Sequence, residues 1–305
     1  MNMESPAMNA STRVASLATC AGADKSAEEG DSRSLETRPT GADGDAKRMD
    51  DLFGNRAELY ALTRPSPPRE LLELLASLCK SRRRVWDAGT GSGQAANGLA
   101  EFFEEVIATD VSEKQLRCAA RRPNINYRLT SCGPLTDEEV ASVVGEEGSL
   151  DLVTAAQAVH WFHLTSFYEH VRHLLRKPGG VVAVWCYTAP EVNAAVDALV
   201  AQMEEKSLPF WDEELLYVRE RYRTIQFPFD APPGMAPVVR MNAVKEASLE
   251  GFLAFLESWT TLQRARREGV ELLNDDVMQA LRSAWGPPYL IRRVTFPAHV
   301  RIGQL

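Results

Sequence analysis

Two carboxylates and three closely spaced glycines are the residues of this chain best suited to hold a small ligand. Asp87 stands two positions before Gly89, and Gly91 and Gly93 follow at alternate positions. Asp110 comes 21 residues after Gly89, at the end of the apolar run Val106-Ile107-Ala108-Thr109. Glycine lets a turn pass close to a ligand because no Cβ intervenes, and a carboxylate ending the second strand can accept from both ribose hydroxyls. A dinucleotide fingerprint needs two residues between its last glycines and a helix N-terminus left for pyrophosphate. Here one residue separates Gly91 from Gly93, and Asp87 would repel phosphate but pair with an ammonium. The spacing therefore points to a ligand with a ribose, a cationic amino-acid tail and no phosphate, which is S-adenosylmethionine. The alternative is a strand-to-helix turn that binds nothing.

Methyl transfer from a sulfonium is an in-line displacement, so the protein must place a nucleophile opposite the sulfur and exclude water. A carboxylate acceptor needs no base, whereas a hydroxyl, thiol or ring nitrogen can call for one, commonly histidine. His160 follows Gln157 at the end of the apolar run Leu150–Gln157 and is the candidate catalytic residue. The other reading is that His160 and Trp161 only shape the pocket or contact the methionine tail. His163 opens the next helix as a cap, and His170 and His173 are read as surface or packing residues. Trp161 and Trp259 are the substrate-pocket candidates among the aromatics Phe162, Trp185, Tyr187 and Trp211. The five cysteines show no CxxC or Cys/His spacing, so no metal site is expected and a reducing compartment fits.

The elements that must position these residues alternate along the chain. Apolar runs at 85–88, 106–109, 125–129, 150–157 and 181–185 read as strands, with helices after Pro68, at 94–103, from Ser112, and at 165–176. Such alternation implies an α/β fold with a doubly wound, mainly parallel sheet covered on both faces, whose ligands lie beyond the carboxyl ends of the strands. Two more strands, 240–244 and 291–296, bring the sheet to seven and give it an antiparallel C-terminal edge, and helices are expected at 249–262 and 275–285. Residues 190–224 read as a helical insertion or cap, interrupted at Leu208-Pro209-Phe210-Trp211. Residues 1–48 carry few large apolar side chains and are expected to be a disordered tail, leaving 49–305 as one domain.

The stretch Val85 to Trp185 resembles class I S-adenosylmethionine-dependent methyltransferases, particularly the type 11 group. Phe53, Tyr60, Arg64-Pro65, Gln157-Ala158-Val159-His160-Trp161-Phe162 and Ser258-Trp259-Thr260-Thr261 extend the resemblance to a subgroup similar to trans-aconitate methyltransferase and its plant and fungal relatives. The resemblance implies a Rossmann-like fold with Asp87, Gly89, Gly91 and Gly93 along the methionine and ribose of the cofactor. It further implies that Asp110 holds the ribose hydroxyls, Val111 lies on adenine, and Gln157 joins the site. Cys132 stands where relatives often carry an acid beside the adenine amino group, and a thiol is a weak substitute. Tyr60 and Arg64 correspond to a lid, Arg64 facing either the cofactor carboxylate or a structural acid.

A net charge of −8 argues against a nucleic-acid partner, and no apolar run reaches the length of a membrane helix. The expected partner is a small-molecule acceptor with a carboxylate or hydroxyl oxygen, in a cytoplasmic protein whose tail leaves room for a plastid or other organellar address. Oligomeric state is left open. A protein or RNA methyltransferase, and a cofactor-binding protein without turnover, are the alternatives.

Overall fold

Apolar segments buried along nearly their whole length build the centre of the sheet, and burial alternates only in the edge strand over 239–247. The computed structural model describes residues 57–305, apart from the side chains of Ala57, Glu58 and Tyr60. Phe53 and the tail expected over 1–48 lie outside the described residues. The strands are β1 (Arg84–Ala88), β2 (Glu105–Asp110), β3 (Ile125–Leu129), β4 (Leu152–Ala156), β5 (Val181–Tyr187), β6 (Val239–Ala247) and β7 (Arg292–Gln304). They form one seven-stranded sheet in the order β3-β2-β1-β4-β5-β7-β6. The first five are parallel, while β7 runs antiparallel to both β5 and β6. The mainly parallel sheet with an antiparallel C-terminal edge is the architecture the apolar pattern implies.

Both faces are covered, which is why the central strands read as continuous apolar runs. Val85, Val106, Leu152, Ala183 and Trp185 pack under the helices α2 (Arg69–Leu78) and α3 (Gln94–Leu99), which follow α1 (Ala57–Thr63). Trp86, Ile107, Val153, Val182 and Val184 face the other way. Downstream of α4 (Glu113–Cys118), that second face receives α5 (Asp137–Val143), α6 (Leu164–Leu174) and, beyond α7 (Ala194–Ser207), the short α8 (Leu215–Arg219). A third core joins α7 to α9 (Leu249–Glu257), α10 (Thr260–Arg267) and α11 (Asp275–Trp285) around Phe252, Leu256, Trp285 and Phe296.

Three elements depart from the sequence expectation. Helix α5 carries three acids in its first turn, where the helix dipole favours them, and a Thr136 cap, but few apolar residues, so its periodicity is weak. The expected helix 249–262 is two helices, broken at Ser258, whose hydroxyl bonds back to the Phe255 carbonyl at 2.6 Å and competes with the helical pattern. Strand β7 continues past Pro297 to Gln304. The Pro297 carbonyl accepts from the Thr188 N–H at 3.1 Å, so the missing proline N–H faces the same side, just past the end of β5 at Tyr187. No ladder bond to β6 is lost there. Among the described residues no helix is long and apolar enough to cross a membrane.

Candidate active site

The turn after β1 is held by Thr90 N–H donating to the Thr109 carbonyl and Gly93 N–H donating to the Thr90 carbonyl, each at 2.9 Å. Gly89, Gly91 and Gly93 all take positive φ, at 65°, 57° and 82°. Their surroundings differ. A Cβ on Gly89 would lie 2.6 Å from that of Ala158, and one on Gly93 would collide with the Tyr127 hydroxyl. On Gly91 it would project into the cleft, with Gln115 Oε1 at 3.9 Å its sole neighbour within 4 Å among the described residues. Gly89 and Gly91 thus line the cleft, while Gly93 lets α3 approach β3.

The two expected carboxylates are placed differently. Asp110 lines the cleft, its Oδ2 accepting from the Gly91 N–H at 2.7 Å and its Oδ1 from the Ser112 N–H at 2.9 Å. Burial pushes its pKa above the ordinary carboxylate value, against the pull of those N–H groups. Asp87 is fully buried beneath the turn and is absent from the cleft wall. Its oxygens accept from Thr90 Oγ1 at 2.6 Å and Thr154 Oγ1 at 2.7 Å, and burial pushes its pKa up to about 6. The position expected to meet an ammonium therefore braces the loop from below, tying it to β4.

Val111, Cys132, Gln157 and Arg64 line the same cleft of about 210 Å³, and the Tyr60 side chain lies outside the described residues. Glu139 of α5 accepts from both the N–H (2.7 Å) and the hydroxyl (2.6 Å) of Ser131, fixing the loop that carries Cys132. His163 and His170 also reach the cleft. His163 bonds Ser166 at 2.9 Å just before α6, as a residue at a helix start does. His170, read as surface or packing, is buried and pairs with Asp137 at 3.1 Å.

A second chamber of about 120 Å³ adjoins the cleft and shares Arg64, Gln157, Trp161 and Tyr187 with it. Gln157 holds the junction with a positive φ of 54°, its Oε1 accepting from the Tyr187 N–H at 2.9 Å. The break between α9 and α10 delivers Trp259 to the chamber, and the segment after α7 delivers Trp211. Arg64 bridges both cavities: it donates to the Ser258 carbonyl at 3.1 Å and stacks over Phe255 at 5.1 Å. His160 lines the chamber with 4% of its surface exposed. Its Nδ1 lies 2.6 Å from the Tyr222 hydroxyl, and burial lowers its pKa to about 3, so it is neutral at physiological pH.

A family model for the methyltransferase domain matches residues 86–184. A Dictyostelium discoideum protein assigned as a methyltransferase is 28% identical over 268 residues, 84% of this chain and 96% of its own. A Saccharomyces cerevisiae protein assigned as an S-adenosylmethionine-dependent methyltransferase is 31% identical over 144 residues, 46% of this chain and 48% of its own. A solved structure from Anaeromyxobacter dehalogenans, assigned as a type II methyltransferase, is 35% identical, spans 79% of this chain and 97% of its own, and superposes with a TM-score of 0.68. The chain belongs to the class I S-adenosylmethionine-dependent methyltransferases.

S-adenosylmethionine is accordingly the cofactor of this methyltransferase, and the cleft suits it. The space left at Gly91 and the buried-edge carboxylate of Asp110 suit a ribose, while two acids around the turn disfavour a phosphate. Glu204 and Phe255 on the wall of the methyltransferase's second chamber gave no signal in the sequence, and neither did Tyr222, which bonds the wall residue His160. Phe255 and Glu204 sit in helices where an apolar or acidic residue carries no sign of a pocket. The Tyr222 contact to His160 spans 62 residues.

Proposed function

We propose that this methyltransferase alkylates an oxygen of a small acceptor, a carboxylate or a hydroxyl, seated in the chamber beside His160. One observation carries the reading: an aromatic-walled chamber opens onto the cofactor cleft across Gln157, Trp161 and Tyr187. Asp110 would accept from the ribose hydroxyls, Gly89 and Gly91 would let the methionine and ribose lie against the turn, and Val111 and Cys132 would flank adenine. Arg64, on both walls, suits the cofactor carboxylate. Asp87 acts through the turn it braces.

S-adenosylmethionine supplies an electrophilic methyl: the acceptor oxygen forms the new C–O bond while the C–S pair returns to sulfur, leaving a neutral thioether. A carboxylate loses no proton in that step, but a hydroxyl must. His160, with a pKa near 3, is a poor base. Glu204, pushed above its ordinary range by burial, is the other titratable acid on the chamber wall. The carboxylate is thus the acceptor that asks least of these residues. Trp161 and Trp259 would form the apolar sides of the pocket and Arg219 and Arg64 its cationic ones.

The test is release of S-adenosylhomocysteine from S-adenosylmethionine in the presence of paired aromatic and aliphatic carboxylates and alcohols. Turnover with carboxylates, lost in Trp259→Ala with cofactor affinity kept, is the expected result. Methyl incorporation into protein or RNA alone would overturn it.

A further inference from the structure

The contact between Tyr222 and His160 fixes more than the position of a ring. Tyr222 is completely buried, and a buried phenol needs an acceptor for its proton. Among the described residues, the hydrogen bond given to its hydroxyl runs to His160 Nδ1, at 2.6 Å. Two features of the backbone force that geometry. Arg221 and Tyr222 have φ of 58° and 54°, a left-handed pair at the end of α8 where glycine is the usual residue. Non-glycine residues are strained there, and such strain persists where the surroundings impose it. The turn is closed by Arg221 N–H to the Val218 carbonyl and Tyr222 N–H to the Tyr217 carbonyl, both at 2.8 Å, and it turns the phenol inward onto His160. With Gln157, these are the three non-glycine residues of positive φ among the described residues; Gln157 lines the chamber and Tyr222 bonds His160 on its wall.

A neutral imidazole has one N–H and one bare nitrogen. If the phenol donates to Nδ1, the proton of His160 must sit on Nε2, the nitrogen left for the chamber that His160 lines. We propose that Tyr222 is a positioning residue that locks His160 in the Nε2–H tautomer, so that His160 donates a hydrogen bond to the acceptor oxygen instead of taking a proton from it. This rests on the acceptor occupying the second chamber. The charges around the ring agree with a neutral donor. Arg64, Arg219 and Glu204 share the chamber wall, Tyr187 and Cys186 come from β5, and none is ion-paired to the imidazole in a way that would charge it. Burial alone drives the ring to its neutral form. A donor at that point would orient one lone pair of a carboxylate or hydroxyl oxygen and leave another to attack. No proton changes hands in the displacement of a carboxylate, so a group that cannot act as a base is no handicap.

The tautomer can be read without knowing the acceptor. In protein labelled with ¹⁵N-histidine and saturated with S-adenosylhomocysteine, long-range proton–nitrogen correlation at pH 7 distinguishes bare from protonated ring nitrogens. Expected is a bare Nδ1 and a protonated Nε2 in the wild type, with the two tautomers mixed in Tyr222→Phe, an isosteric change that keeps the ring packed. Benzoate, a simple carboxylate suited to an indole-lined chamber, is expected to move the Nε2–H resonance downfield in the wild type and much less in the variant. His160→Gln, which keeps an N–H donor but no base, is expected to retain the benzoate response of the chamber aromatics, and His160→Ala to lose it. A protonated Nδ1, a charged ring, or an Nε2–H indifferent to benzoate would overturn the proposal. Saturation by S-adenosylhomocysteine is checked separately by calorimetry, so loss of the cofactor reading would register there and not in the tautomer.

Discussion

At the scale of single residues, the same physical cause gives His160 and Asp87 opposite linkages to pH. Burial disfavours the charged form of each, lowering the histidine to about 3 and raising the aspartate to about 6. For His160 the unfolded chain binds a proton that the fold refuses. Its contribution is therefore present above about pH 6.5 and is lost as pH falls from there towards 3. Asp87 runs the other way, its contribution being full below its unfolded value near 3.8 and lost as pH rises through about 6. His160→Gln removes the first without touching the second. Denaturant titrations of the two proteins from pH 7 to 4 are expected to show the wild type losing stability relative to His160→Gln as the pH drops, and a constant difference would refute burial as the cause. The glycine and Asp110 spacing was legible because a ligand loop restricts residue types locally. Asp87 was legible as a special residue but not as a buried one, since its partner Thr154 comes from another strand. Tyr222 was invisible because its role depends on a turn joining distant segments.

At the scale of elements, the ends of the strands divide the labour. The carboxyl ends carry the site, while the amino ends of β1 and β4 are tied by Asp151, a buried residue with no chemistry to perform. Asp151 accepts from Ser81 Oγ (2.5 Å), the N–H groups of Arg83 (2.8 Å) and Arg84 (3.1 Å), and Arg176 Nε (2.9 Å). Burial pulls its pKa up, but these donors together outweigh it and hold the pKa below its usual value. Asp151→Ala strands several donors and is expected to cost about 3 kcal/mol in urea unfolding while leaving S-adenosylmethionine affinity within about twofold. A comparable loss of affinity would mean that the two ends of the sheet are coupled. The mainly parallel sheet, its antiparallel edge and most helices followed from the apolar pattern, whereas the strand order did not. The break between α9 and α10 did not, because one serine between apolar turns reads as a tolerable helix residue. That break is what brings Trp259 to the chamber.

At the scale of the whole molecule, the cleft lies where a parallel sheet leaves its strand ends open, and the chamber lies where the third helical core closes over them. Ligand that fills the cleft must stabilise the folded chain in proportion to its occupancy. S-adenosylhomocysteine at one hundred times its Kd contributes about 2.7 kcal/mol, which for a domain of this size raises Tm by roughly 5–10 °C. A thermal scan that does not respond to the product would indicate a closed cleft. The overall architecture was legible from seven apolar runs and their spacing. The chamber was not, because its walls come from segments separated by the full length of the insertion and by the antiparallel strands.

If the Gly89–Gly93 turn and Asp110 form the cofactor site, calorimetric titration with S-adenosylmethionine will register their loss. Gly91→Val places a branched side chain at a positive φ and into the open cleft, while Asp110→Asn removes charge without bulk. Binding by the wild type, abolished in Gly91→Val and weakened at least about tenfold in Asp110→Asn, with all three folded by circular dichroism, is the expected result. Wild-type affinity in folded Gly91→Val, or no binding by folded wild type, would contradict the assignment of the site.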